Sequence, residues 1–109
     1  MDDLLLREIC RITGVSRRAI QGYEKEGLVM PCGKNKYGYL LYSSTTIGRI
    51  KEIKLYQERG FTLKEIKSFE LLNKEELKIV LIQKISELEK KQSYLKTVSS
   101  QIQMIISIL

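Results

Sequence analysis

The chain has 109 residues, enough for one compact domain with an appended element and too few for two independent cores. Nineteen Lys and Arg against thirteen Asp and Glu give a net charge of +6, with no histidine. That excess favours an anionic partner, while the lack of His, of a phosphate-binding glycine loop and of any nucleophile with a candidate base argues against an enzyme.

In chain order, Leu5 to Thr13 places Leu6, Ile9, Cys10 and Thr13 on one face of a short helix, which Gly14 ends. Ser16 is positioned as an N-cap for a second helix reaching about Glu26, with Gly27 as its left-handed stop. Around that helix Ala19, Ile20 and Tyr23 share one side. Arg17, Arg18, Gln21, Gly22 and Lys25 occupy the other, so an apolar face packs inward and a basic, amide-bearing face looks out. Two short helices joined by a glycine-containing turn, the second carrying such a face, describe a helix-turn-helix.

Pro31 stops further helix. The run GKNKYGYLLY that follows predicts a β-hairpin wing with Lys34 and Lys36 at or near its tip. A third helix is expected from Ser43 or Ser44 to about Arg59, with Ile47, Ile50 and Ile53 inward and Gly60 closing it. Thr62 and Glu65 form a T-x-x-E capping box for a fourth helix that turns Leu63, Ile66 and Phe69 inward.

From Lys74 to Leu109 there is neither Gly nor Pro, and Leu81, Leu88, Leu95, Ile102 and Leu109 recur every seven residues. This predicts one long helix with an apolar seam. Ile85 flanks the seam early and Val98 and Ile105 flank it late, with the register slipping around Lys91 and Gln92. The stripe is about 50 Å long at 1.5 Å per residue, longer than so small a head can cover, so a second copy is the expected cover. The interface residues are then Leu81, Ile85, Leu88, Leu95, Val98, Ile102 and Ile105. The fold class is mainly α: a winged helix-turn-helix of four short helices and a β-hairpin over residues 1–72, then a coiled-coil dimerisation helix over 73–109.

Six cations against two anions between residues 11 and 42 put +4 of the +6 in that stretch, which includes the second helix and the wing. The candidate DNA-contacting residues are Ser16, Arg17, Arg18, Gln21, Tyr23, Lys25, Lys34, Lys36, Tyr37 and Tyr39. Arginine suits phosphate, and Gln21 can pair bidentately with adenine in the major groove. Tyr23, on the apolar side, is expected to be core with its hydroxyl free to reach a phosphate. Cys10 falls on the inward face as a small apolar filler, and Cys32 in a loop is expected to be exposed. Their wide separation forms no close-spaced ligand pair, so no metal or other cofactor is expected. With no apolar leader and no run near the ~18 residues of a membrane span, a reduced, cytoplasmic protein is expected.

The segments GVSRRAIQGYEKEGLVMP, GYLLYS and RGFTLKEI, in that order, resemble the MerR family of bacterial transcriptional regulators over roughly residues 4–70. The resemblance implies antiparallel pairing of the long helices and a homodimer on a pseudo-palindromic promoter. That promoter is distorted so that RNA polymerase can engage it. Gln21 and Gly22 stand where the family usually has arginine and an aromatic, and Leu40 where the wing usually has arginine, which implies altered sequence preference or weaker binding. Both cysteines lie in the head, whereas metal-sensing members carry theirs at or beyond the end of the dimer helix. Two other readings fit the residues: an excisionase-like protein that bends DNA, and a protein-interaction module whose DNA face has decayed.

Overall fold

A computed structural model describes residues 3–109; the first two residues of the expected head lie outside the described residues. The order is β1 (Leu4–Leu5), α1 (Leu6–Thr13), α2 (Arg17–Lys25), β2 (Gly33–Lys34), β3 (Leu40–Tyr42), α3 (Thr45–Glu58), α4 (Leu63–Ser68), a 3-10 turn (Phe69–Leu71) and α5 (Lys74–Ser107). The chain divides into two compact units between Leu71 and Leu72.

In the head, each helix begins and ends where local chemistry requires. Gly14 takes a left-handed φ of 71° and its amide donates to the Cys10 carbonyl at 2.9 Å, turning the chain sharply between α1 and α2. The Ser16 hydroxyl accepts from the Ala19 amide at 3.1 Å, capping α2. At α4 the capping box is complete: the Thr62 hydroxyl accepts from the Glu65 amide, and the Glu65 carboxylate accepts from the Thr62 amide.

The hairpin is wider than its sequence suggests. β1 pairs antiparallel with β3, Leu4 opposite Tyr42 and Leu5 opposite Leu41, and β3 pairs in turn with β2, giving a three-stranded sheet in the order β1-β3-β2. A two-residue strand has too little alternation to announce itself, and the first helix correspondingly starts at Leu6 instead of Leu5. The wing is thereby anchored along its inner strand to the start of the chain.

Ile9, Ile20, Tyr23, Tyr42, Ile50, Ile53 and Ile66 form the fully buried centre of the head. The inward stripe of α3 differs from the expected one: Thr46, Ile50 and Ile53 are buried and Ile47 is only half-buried. Spacing of four then three residues follows the 3.6-residue turn more closely than three then three, so the stripe rotates onto Thr46. Cys10 is half-buried instead of sealed in. Tyr56, Phe61 and Phe69 meet edge to face, with ring centroids 5.3–5.7 Å apart, and pin α4 and the 3-10 turn to α3.

Helix α5 is a unit of another kind. Asn73 caps it, its side chain accepting from the Glu76 amide at 2.8 Å while the Glu76 carboxylate accepts from the Asn73 amide at 3.1 Å. None of its residues is buried. No helix among the described residues is long and apolar enough to cross a membrane.

Candidate nucleic-acid interface

Helix α2 presents the face expected of it. Ile20 and Tyr23 are buried, while Arg17, Arg18, Gln21 and Lys25 are exposed. Its N-cap fixes where the first turn starts, and so fixes the direction in which Arg17 and Arg18 leave the surface. A Cβ added at Gly22 would meet nothing within 4 Å. The head's own packing therefore does not require glycine there.

Two tyrosine hydroxyls tie α2 to its neighbours. The Tyr23 hydroxyl donates to Gln57 Oε1 on α3 at 2.8 Å, and burial, then the nearby Glu58 carboxylate, raises its pKa. Tyr23 thus departs from its expected phosphate-reaching role. With 2% of its surface exposed and its hydroxyl engaged, it positions the helix instead of meeting a ligand. Tyr42 on β3, fully buried, donates to the Glu24 carboxylate on α2. Burial first, then that carboxylate, holds the Tyr42 hydroxyl well above the ordinary tyrosine range, so it stays a donor. The wing strand and α2 are joined by this bond.

The tip of the wing is organised by Asn35. Its side-chain oxygen accepts from the Tyr37 and Tyr39 amides at 2.9 and 3.0 Å, and its carbonyl accepts from the Gly38 amide at 3.0 Å. Gly38 takes a φ of 83°, a conformation that side chains disfavour. This turn exposes Lys36, Tyr37 and Tyr39, with the Lys36 ammonium 5.2 Å from the centre of the Tyr37 ring, while Lys34 is exposed on β2. Asn35 was not among the candidate residues, although an Asn two residues before an exposed Tyr-Gly pair is a readable turn signal.

Between α1, α2 and the wing lies a cleft of about 470 Å³, lined by Arg7, Arg17, Gln21, Tyr39 and Leu40 among others. Two guanidinium groups, an amide and a phenol on one concavity make an anion-accepting surface. Arg7 is the functional candidate that sequence reasoning missed. It precedes the basic stretch, and only the fold places it on the same cleft as Arg17. Cys32 is exposed and its thiol donates to the Leu41 carbonyl; partial desolvation and the Asp3 carboxylate push it up, which favours the unreactive thiol.

On α5, Ile85, Leu88, Leu95, Ile102 and Ile105 are exposed, and Leu81 and Val98 are half-buried. These residues form a seam along one helix, in a unit separate from the residues above.

A three-stranded wing, an N-capped helix with a cationic outer face and a glycine turn between α1 and α2 define a winged helix-turn-helix protein. Residues 5–72 match the MerR HTH family of regulatory proteins. The chain belongs to that family. It is 34% identical over 97 residues to the mercuric resistance operon regulatory protein of Bacillus cereus, covering 84% of this chain and 74% of that protein. To the HTH-type transcriptional activator mta of Bacillus subtilis it is 36% identical over 62 residues, covering 57% of this chain and 24% of that protein. Among solved structures, the N-terminal part of the same B. subtilis multidrug transporter activator superposes with a TM-score of 0.84 at 27% identity, covering 94% of this chain and 97% of that one. HiNmlR, a MerR family regulator lacking the sensor domain and bound to promoter DNA, shares the fold with a TM-score of 0.62 at 18% identity, covering 97% and 89%.

Proposed function

We propose that this protein binds duplex DNA as a homodimer and regulates transcription from a pseudo-palindromic promoter. The observation that carries the reading is the shared exposure of Arg17, Arg18 and Gln21 on a helix whose opposite face is pinned by Tyr23, beside a wing that exposes Lys34, Lys36, Tyr37 and Tyr39. In this reading α2 enters the major groove. Arg17, Arg18, Lys25 and the wing lysines neutralise phosphates, Gln21 reads a base edge, and Ser16 orients the helix start. Arg7 joins the phosphate set from the cleft.

Residues 1–72 serve as the DNA-binding domain and 73–109 as the dimerisation helix. The exposed seam supports self-pairing, since a 34-residue helix with this much apolar surface gains by burying it. Its spacing supports an antiparallel sense. Leu81, Ile85 and Leu88 are separated by four and three residues, and Leu95, Val98 and Ile102 by three and four, so the seam reads the same in both directions about a midpoint between Lys91 and Gln92. The slip in register falls at that midpoint, where a two-fold axis makes it common to both helices. Two heads joined in this way distort the spacer between their half-sites, and RNA polymerase engages the reshaped promoter.

Selection of bound sequences from a random duplex pool tests the reading. Two inverted half-sites at fixed spacing are expected. Failure to enrich any duplex at low salt would assign the chain to protein interaction instead, and sites lying outside promoters would assign it to DNA bending.

A further inference from the structure

Two backbone carbonyls where the chain leaves α2 are held by charged side chains from distant parts of the head. Lys67 Nζ, on α4, donates to the Gly27 carbonyl at 2.9 Å, and Arg49 Nε, on α3, donates to the Leu28 carbonyl at 3.3 Å. Both cations converge on one carboxylate. Arg49 Nη2 lies 2.8 Å from Glu70 Oε1 and Lys67 Nζ lies 3.0 Å from Glu70 Oε2. Gly27 has a φ of 75°, so the turn these groups hold is the left-handed stop of the helix itself.

We propose that Arg49, Lys67 and Glu70 form a latch that sets the orientation of α2 against the rest of the head, making Glu70 a positioning residue for DNA recognition. The inference rests on α2 being the recognition helix. Neither cation alone is well placed to do this, because each is a long side chain with many rotamers, and an exposed ion pair usually adds little. Glu70 changes that by clamping both at once, so two donors arrive at adjacent carbonyls with their geometry already set. Lys67, through the hydrogen bond it donates and then with the added charge of Arg49, holds the Glu70 carboxyl below its usual range, which keeps the clamp ionised. Glu70 sits in the 3-10 turn that ends at Leu71, the last residue of the head unit.

A plain electrostatic reading of the same residues makes the opposite prediction. If Arg49 and Lys67 were phosphate contacts partly neutralised by Glu70, Glu70→Gln, which raises the net charge from +6 to +7, would strengthen DNA binding and steepen its salt dependence. The latch predicts weaker binding despite the added positive charge.

The test uses the full chain and a duplex enriched from a random pool by the unaltered protein. Glu70→Gln is expected to weaken affinity for that duplex by about fivefold to tenfold, with the salt slope unchanged and the melting temperature within a few degrees. Amide exchange at Gly27 and Leu28 should quicken, while exchange in α3 stays as it was, a readout that needs no DNA. Lys67→Arg, which keeps a charge able to reach Glu70, should retain most of the affinity. Equal or tighter binding by Glu70→Gln, or unaltered exchange at Gly27 and Leu28, overturns the latch. A pool that yields no enriched duplex sinks the DNA-binding reading itself and takes the latch's functional role with it.

Discussion

The head and the long helix handle their side chains in opposite ways. In the head, Tyr23, Tyr42, Arg49 and Lys67 each spend a polar atom on a partner distant in sequence, and the apolar groups close over Ile9, Ile20, Ile50 and Ile53. In α5 the caps are made within one turn, and Ile85, Leu88, Leu95 and Ile102 stand roughly half exposed. A unit that satisfies itself can offer its surplus charges to a ligand. A unit that leaves its apolar side chains in water gains stability by covering them, and the proposed function assigns recognition to the first unit and association to the second.

The strongest way to break that contrast is to make the seam of α5 as polar as its back. Leu88→Lys with Leu95→Lys buries unpaired charge at any self-pairing interface, so the double variant should be monomeric by sedimentation while its head keeps its melting transition. One head makes too few contacts for tight specific binding, and affinity for an inverted-repeat duplex should fall by about a hundredfold or more. A monomer that still selects the repeat would dissolve the division of labour. Cross-linking sharpens the same point. In a chain carrying Cys10→Ala and Cys32→Ser, Leu81→Cys should cross-link to a copy bearing Ile102→Cys but not to its own kind, since antiparallel pairing puts the two positions 81 roughly 30 Å apart.

A smaller effect is expected where the head offers charge outward. Arg18→Ala should weaken binding by about fivefold to tenfold across all sequences and lower the salt slope by about one, because a phosphate contact contributes counterion release and not base choice. Titration at several salt concentrations measures both. If Gln21→Ala abolishes binding while Arg18→Ala leaves it intact, the roles assigned to the two residues are reversed.

Inside the head, Tyr42→Phe removes the donor to Glu24 and should cost about 1 kcal/mol in denaturant unfolding. Its pH dependence has a definite sign. The native Tyr42 pKa is raised above the unfolded value, so the protonated hydroxyl favours the folded state below about pH 10, and that contribution is lost as the unfolded chain ionises above it. The Phe variant should lack this part of the alkaline loss. A parallel decline in both proteins would show that Tyr42 is not its source.

The least perturbing change is Gly22→Ala. Nothing in the head meets the added Cβ, so helix propensity alone should raise stability by about 0.8–1 kcal/mol in thermal unfolding. Affinity measured on the same variant then assigns the residue. A loss of binding places the DNA backbone against α2 at this position, and no loss leaves glycine there without a role in recognition.

Much of this was legible in the residues because it depends on near neighbours. Ser16 beneath α2, the Thr62–Glu65 box, the breaks at Gly14 and Gly27, the lysines of the wing and the long uninterrupted helix are all set within one or two turns of chain, as are the family motifs over residues 5–72. What only the tertiary structure decided are the pairings across the head: β1 on β3, Tyr23 turned from a phosphate toward Gln57, Thr46 in place of Ile47, Arg7 placed on the same cleft as Arg17, and Glu70 closing on both Arg49 and Lys67. Caps and helix faces follow from 3.6-residue periodicity and single hydrogen bonds, which a linear sequence displays. A hydroxyl or guanidinium with several possible partners is assigned by whichever of them the packed core brings within 3 Å.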